Sequence, residues 1–294
     1  MIHRADLQIR DPFVLPLPAQ RRYALFGTTD REPWATPAVG FDVYLSVGDS
    51  LDEWEEPRPV FRPAPDFWAT HHYWAPEVHE WQGRFFMFAS FRARGKHRAT
   101  QLLVSDTATG SYVPYSPVPA TPPDWDCLDG TLFVDAQNAP WLVFCHEWQQ
   151  IGDGGMYAVR LADDLSTAIG EPLLLFRASS APWAIPSVHE AITGYVTDGP
   201  FMHRTATGAL LMLWSTFGAA GYGMTVATSA SGEITGEWTQ LPEPLIASDA
   251  GHGMLFRDFG GALRFALHQP NKTPRERPQF LHVVERGDRL EIVS

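Results

Sequence analysis

The chain is 294 residues long, 45% hydrophobic and 19% charged, with a formal net charge of −12. That balance excludes a disordered chain, a collagen-like repeat and a coiled coil, and the acidic excess works against nucleic acid or an anionic membrane as partner. The 24 Gly, 25 Pro and an aromatic share of 13% favour short strands joined by many turns over long helices.

The N-terminal MIHRADLQIRDPF lacks the apolar core of a signal peptide, and no stretch approaches the about 18 apolar residues of a membrane span. The expectation is a soluble, cytoplasmic protein. From there the chain repeats one motif: an apolar strand, a turn marked by Gly, Asn or Asp, and a second apolar strand. The copies are DPFVLPLPAQRRYALFGTT (11–29), PEVHEWQGRFFMFASF (76–91), GTLFVDAQNAPWLVFCHEW (130–148), GPFMHRTATGALLMLWSTF (199–217) and GMLFRDFGGALRFALHQ (253–269). Period and turn residues make each a β-hairpin. A further strand-like segment and a polar stretch follow most of them, as in ATQLLVSDTATGSY and MYAVRLADDLSTAIG. No amphipathic run of helical period is long enough for a core helix. Five blocks of about four short strands predict an all-β, five-bladed β-propeller occupying 1–294 as one domain, because each blade can bury its faces only against its neighbours. An open β-sandwich with irregular loops is the competing fold. Cys127 and Cys145 lack zinc-site spacing and read as reduced, buried thiols. The Gly-rich GAAGYG (218–223) reads as a loop.

In a propeller the first strand of each blade leaves one mouth of the central channel and the second returns to it. Reflecting each hairpin about its turn therefore predicts which side chains share that mouth. The expected pairs are Asp11 with Gly27 to Thr29, Glu77 with Ser90 to Arg92, Asp129 with Phe144, Asp198 with Ser215 to Phe217, and His252 with His268 and Gln269. Cys145, His146 and Glu147 follow at the rim of the third blade. Strand alternation puts Arg10 on the side of its strand opposite Asp11. Taken singly, each Asp is most simply a turn residue capping backbone amides. Together, facing carboxylates with nearby aromatic side chains suit glycoside hydrolysis, in which one acid protonates the leaving oxygen and another activates water or attacks the sugar.

Four motifs carry a resemblance. RDPFV (Arg10–Val14), YWAPEV (Tyr73–Val78), LDGTLF (Leu128–Phe133) and TDGP (Thr197–Pro200) resemble, in order and at blade intervals, the signatures of glycoside hydrolase family 43, and the likeness spans nearly the whole chain. The resemblance implies an inverting enzyme with Asp11 as general base and Asp129 as the aspartate that tunes and holds the acid. It implies that the Trp74–Glu77 segment lines the pocket. His252 resembles an axial histidine that lies near a bound metal ion in several members. No cofactor is implied for the chemistry, while a Ca2+ or other ion near the propeller axis beside His252 is compatible with it. The fourth blade departs from the pattern: the family usually carries Glu-Gly-Pro there with Glu as the acid, and this chain has Asp198-Gly199-Pro200. Asp198 is the expected acid, since a carboxyl standing roughly 1.5 Å further back is tolerated by inverting separations of about 6.5–9.5 Å. Glu147 is the main rival and Glu190 a weaker one.

FRARGKHR (91–98) is a solvated basic loop over the mouth, or a recognition element for an acidic sugar substituent. HHYW (71–74) supplies a pocket hydrogen-bond donor rather than zinc ligands. Trp34, Trp68, Trp125, Trp148 and Trp183 lie in connections, where stacking on sugar competes with packing. Beyond the carboxylates, the expected substrate-binding set is Trp74, Glu77, Phe91, Arg92, His146, Phe217, His252, His268 and Gln269. The expected activity is exo-acting hydrolysis of a terminal furanose or pentose, foremost an α-L-arabinofuranoside, because short connections cannot form a long cleft. A β-xylosidase, a galactofuranosidase and a non-catalytic carbohydrate-binding propeller are the alternatives. A fructan-type retaining hydrolase is disfavoured, since that class shows Asn-Asp-Pro-Asn-Gly where this chain has Ile-Arg-Asp-Pro-Phe. A monomer or small homo-oligomer is expected.

Overall fold

In the computed structural model, which describes residues 1–34, 37–189 and 191–293, five four-stranded antiparallel sheets surround a common axis. Four of the sheets are built from strands consecutive in the chain; in the first, the short strand Glu53–Trp54 intervenes and pairs with Ile2–His3 instead. Blade one comprises Arg10–Leu17, Arg22–Thr28, Phe41–Leu45 and Arg58–Phe61. Blade two comprises His71–Trp81, Arg84–Arg92, Ala99–Ser105 and Val113–Pro114. Blade three comprises Cys127–Val134, Pro140–His146, Gly155–Leu161 and Ala168–Arg177. Blade four comprises Asp198–Arg204, Leu210–Gly218, Gly221–Ser229 and Trp238–Gln240. Blade five comprises Gly251–Arg257, Leu263–Gln269, Arg277–Arg286 and Arg289–Val293.

The five innermost strands touch in order and close into a ring, the strand at Arg10–Leu17 packing on that at Gly251–Arg257. Among the described residues no strand is exchanged between the first and last blades; closure rests on packing, on bonds such as the Arg10–Glu276 ion pair at 2.7 Å, and on the N-terminal segment, whose Ala5 carbonyl accepts from Arg277 Nε at 2.7 Å. The core is divided among the blade interfaces. Phe86, Phe88, Phe144 and Tyr157 fill the space between blades two and three. Met156, Phe176, Met212 and Trp214 fill that between three and four, and Leu213, Val226, Phe265 and Leu267 that between four and five. Each blade thus buries both faces by having neighbours, as alternating apolar strands require. Among the described residues no helix is long and apolar enough to cross a membrane.

One irregularity recurs in all five blades and positions the site. At the start of each inner strand the register slips by a bulge, after Arg10, Trp74, Leu128, Asp198 and Gly251. The next residue in each case has a left-handed backbone: Asp11, Ala75, Asp129, Gly199 and His252, with φ between 48° and 56° except for Ala75 at 47°. A bulge re-aims side chains that strict alternation would send to opposite faces. It is why Arg10 and Asp11 both reach the same cavity, against the alternation expected for Arg10.

Two sequence expectations are corrected by the register. Glu77 pairs with Phe88, not with Ser90 to Arg92; the partner of Ser90 is Trp74 and that of Arg92 is His71. The inner strand of blade two starts six residues before Glu77, and two bulges displace the reflection. GAAGYG is no loop: Gly218 pairs with Gly221 across a two-residue hairpin, and Tyr222 lies in the following strand.

Candidate active site

The mouth where the inner strands begin holds a cavity of about 190 Å³, lined among others by Asp11, Asp129, Glu147, Asp198, Tyr222 and His252. That is below the about 300–1,000 Å³ of pockets for drug-sized ligands, and matches a single sugar ring better than a chain. Its walls are aromatic and cationic. Trp74 presents one face to the His72 ring, stacked at 4.3 Å, and the Arg98 guanidinium lies over the indole at 4.4 Å. Trp34, half exposed, stands at the rim with the Arg10 guanidinium over its ring at 5.3 Å.

Asp11 is held from several sides. Its Oδ2 accepts from the Thr28 hydroxyl at 2.7 Å, its Oδ1 lies 3.3 Å from His252 Nδ1, and its backbone N–H donates to His268 Nδ1 at 3.2 Å. Burial alone would raise this carboxyl, but the charges of His252 and Arg10 and the Thr28 hydrogen bond outweigh it and hold Asp11 below the ordinary range. His268 is pushed down to about 4 by burial and by the Arg10 charge. Its imidazole is therefore neutral, with Nδ1 as acceptor and Nε2 facing Asn271 Oδ1 at 3.1 Å; the 3.5 Å approach of Nδ1 to Asp11 Oδ1 is a contact rather than an ion pair.

Asp198 has the opposite surroundings. Burial, then the negative charges of Asp129 and Glu147, push its carboxyl up to about 8, against the smaller opposing effects of His252 and of the Tyr222 hydroxyl, which donates to Oδ2 at 3.1 Å. Asp129 is also raised, first by burial, yet its charge has better partners: the Gly199 N–H donates to Oδ2 at 3.0 Å, and His252 Nδ1 lies 3.6 Å away. Two close buried carboxylates keep one proton between them, and the donors around Asp129 leave that proton on Asp198. His252, flanked by Asp11 and Asp129, is raised despite the opposing cost of burial. Glu147 forms a buried ion pair with Arg98.

The structure brings Asp11, Asp129, Asp198, Glu147, Trp74 and His252 to one cavity and places the rest of the sequence-derived set elsewhere. Phe91 is 0% exposed within a cluster with Phe41, Phe61 and Tyr73, so it packs the core and cannot meet a sugar. Glu77 is buried against His79. His146 is stacked on Trp125 at 4.2 Å, and His268 stands behind Asp11, fully buried. Phe217 packs on Tyr222, whose hydroxyl occupies the place expected for it. Arg92 and Gln269 do not line the cavity. Glu190 lies outside the described residues. Sequence reading missed Arg98, Tyr222 and Gln149 as cavity residues. Arg98 had a signal, being the last basic residue of FRARGKHR; the others had none, since a hairpin read as a loop hid Tyr222.

The donor sets do not fit a metal ion. Among the described residues no group of three or more His, Cys, Asp or Glu is arranged to hold one, and His252 Nδ1 already faces two carboxylates as their charge partner.

Comparison with known proteins adds to this geometry. The sequence model of glycosyl hydrolases family 43 matches residues 7–289. The structure is similar to that of an endo-arabinase from Bacteroides thetaiotaomicron, 39% identical, with a TM-score of 0.90 over 97% of this chain and 98% of that one. It shares its fold with an endo-1,4-beta-xylanase from the same organism, 22% identical, at a TM-score of 0.76 over 98% and 95%. An extracellular exo-alpha-(1->5)-L-arabinofuranosidase of Cellvibrio japonicus is 26% identical over 123 residues, 38% of this chain and 33% of that protein. The match thus spans a third of that curated relative's length.

Proposed function

The chain belongs to the glycosyl hydrolases of family 43, and from that membership we propose that it removes terminal α-L-arabinofuranosyl units from a carbohydrate chain with inversion at the anomeric carbon. The observation that carries the proposal is the opposite tuning of two carboxyls facing one cavity: Asp11 below the usual range and Asp198 at about 8. Near neutral pH the first is ionised and the second protonated. Such a divergence is how acid and base are assigned on one site.

Asp11 takes a proton from the attacking water, and Asp198 gives its proton to the glycosidic oxygen as the bond breaks. Asp129 supplies the negative charge that keeps the acid protonated. His252 balances Asp11 and Asp129 and restrains both. The ion pair of Glu147 with Arg98 favours Asp198 over it as the acid, because an acid must carry a proton before it donates one and a protonated Glu147 could not form that pair. Trp74, braced by His72 and Arg98, offers a flat apolar face to the sugar, and Trp34 at the rim offers one to the neighbouring residue.

The single-ring cavity supports exo action, and the arabinose specificity draws on the likeness to the endo-arabinase and to the exo-acting arabinofuranosidase. Endo cleavage of an arabinan is the second reading, favoured by the 39% identity to the endo-arabinase. Digestion of linear α-1,5-arabinan decides between them. Arabinose as the sole early product is expected, whereas a ladder of oligosaccharides would establish the endo reading. Proton NMR should show the β-anomer first; an initial α-anomer would overturn inversion. No release from arabinan or from para-nitrophenyl α-L-arabinofuranoside would overturn the substrate assignment.

A further inference from the structure

The five bulges are stitched together by hydrogen bonds, and one stitch differs. In each blade a second-strand residue stands opposite the bulge: Thr28, Ser90, Cys145, Ser215 and His268, paired with Arg10, Trp74, Leu128, Asp198 and Gly251. Four of these side chains accept the bulge N–H of the next blade. Ala75 N donates to Thr28 Oγ1 at 2.9 Å, Asp129 N to Ser90 Oγ at 2.8 Å, His252 N to Ser215 Oγ at 2.9 Å, and Asp11 N to His268 Nδ1 at 3.2 Å. The fifth acceptor position holds Cys145. Its sulfur is a weak acceptor, burial keeps it as the neutral thiol, and it faces Met156 Sδ at 3.6 Å. The fifth N–H, that of Gly199, goes instead to Asp129 Oδ2 at 3.0 Å.

We propose that Cys145 is a positioning residue for the acid: by declining the ring hydrogen bond, it leaves the Gly199 N–H to pin the Asp129 carboxylate beside Asp198. A hydroxyl at this position, as in three of the other blades, would capture the Gly199 N–H and release Asp129. The peptide that holds Asp129 belongs to the residue following Asp198, so the bond sets the separation of the two carboxyls. The groups facing Asp198 are Asp129, Glu147, His252 and Tyr222, and those facing Asp129 are Asp11, Asp198, His252 and Arg98. Releasing the Gly199 bond acts on Asp198 through Asp129 directly, and reaches Asp11 only at second hand, through the contacts of Asp129 with Asp11 and His252.

The inference rests on the assignment of Asp198 as acid and is tested with Cys145→Ser and Cys145→Ala in the full chain. Cys145→Ser should move the basic limb of the kcat/KM profile to lower pH by about one unit, a tenfold fall in the proton affinity of Asp198, because an Asp129 carboxylate no longer pinned beside Asp198 repels its ionised form less. Cys145→Ala offers no acceptor, keeps the Gly199–Asp129 bond, and should keep the limb in place even if its Tm falls. A purely structural role predicts a lower Tm in both variants with the limb unmoved in either, since serine and alanine are nearly equal in volume and both smaller than the buried cysteine. An unmoved limb in Cys145→Ser, or an equal shift in Cys145→Ala, overturns the inference. Asp198→Asn separates this from failure of the underlying assignment: if that variant retains the basic limb, Asp198 is not the acid.

Discussion

In the proposed mechanism Asp11 and Asp198 are the same amino acid with opposite tasks, and the difference lies in their neighbours. Asp11 has an arginine, the His252 imidazole and a hydroxyl, which together outweigh burial; Asp198 has two carboxylates that add to burial and outweigh a phenol and the same histidine. The pH dependence follows with its sign. Activity needs Asp11 ionised, so it falls as pH drops through a value below the usual carboxylate range. It needs Asp198 protonated, so it falls as pH rises through about 8. The measured kcat/KM profile should be a broad bell with its basic limb near that value. Asp198→Asn should remove the basic limb and cost about 10²–10⁴-fold in turnover of substrates with poor leaving groups. A variant with near-normal turnover would sink the assignment. These carboxylates were legible as residues, because each opens an inner strand at a recognisable motif. Their tuning was not, because it depends on charges contributed by other blades.

At the scale of the element, the bulge is what converts a strand start into a site. Asp11, Asp129 and His252 accept a left-handed backbone that ordinary side chains avoid, and the closed ring holds them there. Gly199 is the member that cannot change: a Cβ built on it would meet the His252 ring at 2.8 Å and its Cα at 3.1 Å, on a backbone with φ of 53°. Gly199→Ala should therefore cost about 1–3 kcal/mol of stability and displace His252 from Asp11 and Asp129, with a large loss of turnover. A variant with unchanged Tm and activity would contradict this account. The hairpins themselves were readable from period and turn residues, and reflection placed the mouth pairs of four blades to within a residue or two. It failed in blade two because bulges at aspartate, alanine or histidine carry no glycine signal, and two of them intervene there.

For the whole molecule, the buried acid site carries a cost that shows in stability. Asp198 is raised in the folded state, so its contribution is present below pH 3.8 and is lost as pH rises towards about 8. His252 is raised as well, and its contribution is likewise lost above its unfolded value. Carboxylates held low by the fold, such as Asp126, Asp258 and Glu285, contribute fully once pH exceeds the usual carboxylate range and do not change between pH 6 and 9. His268, pushed down to about 4, and His72, to about 3, act in the opposite direction, since stability rises as their unfolded forms lose protons around 6.5; the readout for the acid is therefore a difference, and Asp198→Asn should raise Tm at pH 9 relative to pH 6 when compared with the unsubstituted chain. A Tm difference between the two pH values left unchanged by Asp198→Asn would refute the burial of an acid with raised proton affinity.

The amino-acid sequence by itself determined the blade count and the strand pairing within blades, because alternation and turn chemistry are local and repeat along the chain. It also determined that aspartates and a histidine begin inner strands. Only the tertiary structure decided which side chains share the cavity. Arg98, Tyr222 and Trp34 reach it and Phe91, Arg92 and Gln269 do not, since the bulges re-aim the strand starts and the packing between blades sets every distance across the axis. The reason is one of range: hairpin geometry is encoded within some twenty residues, whereas the charges that separate Asp11 from Asp198 come from blades that meet only when the ring closes.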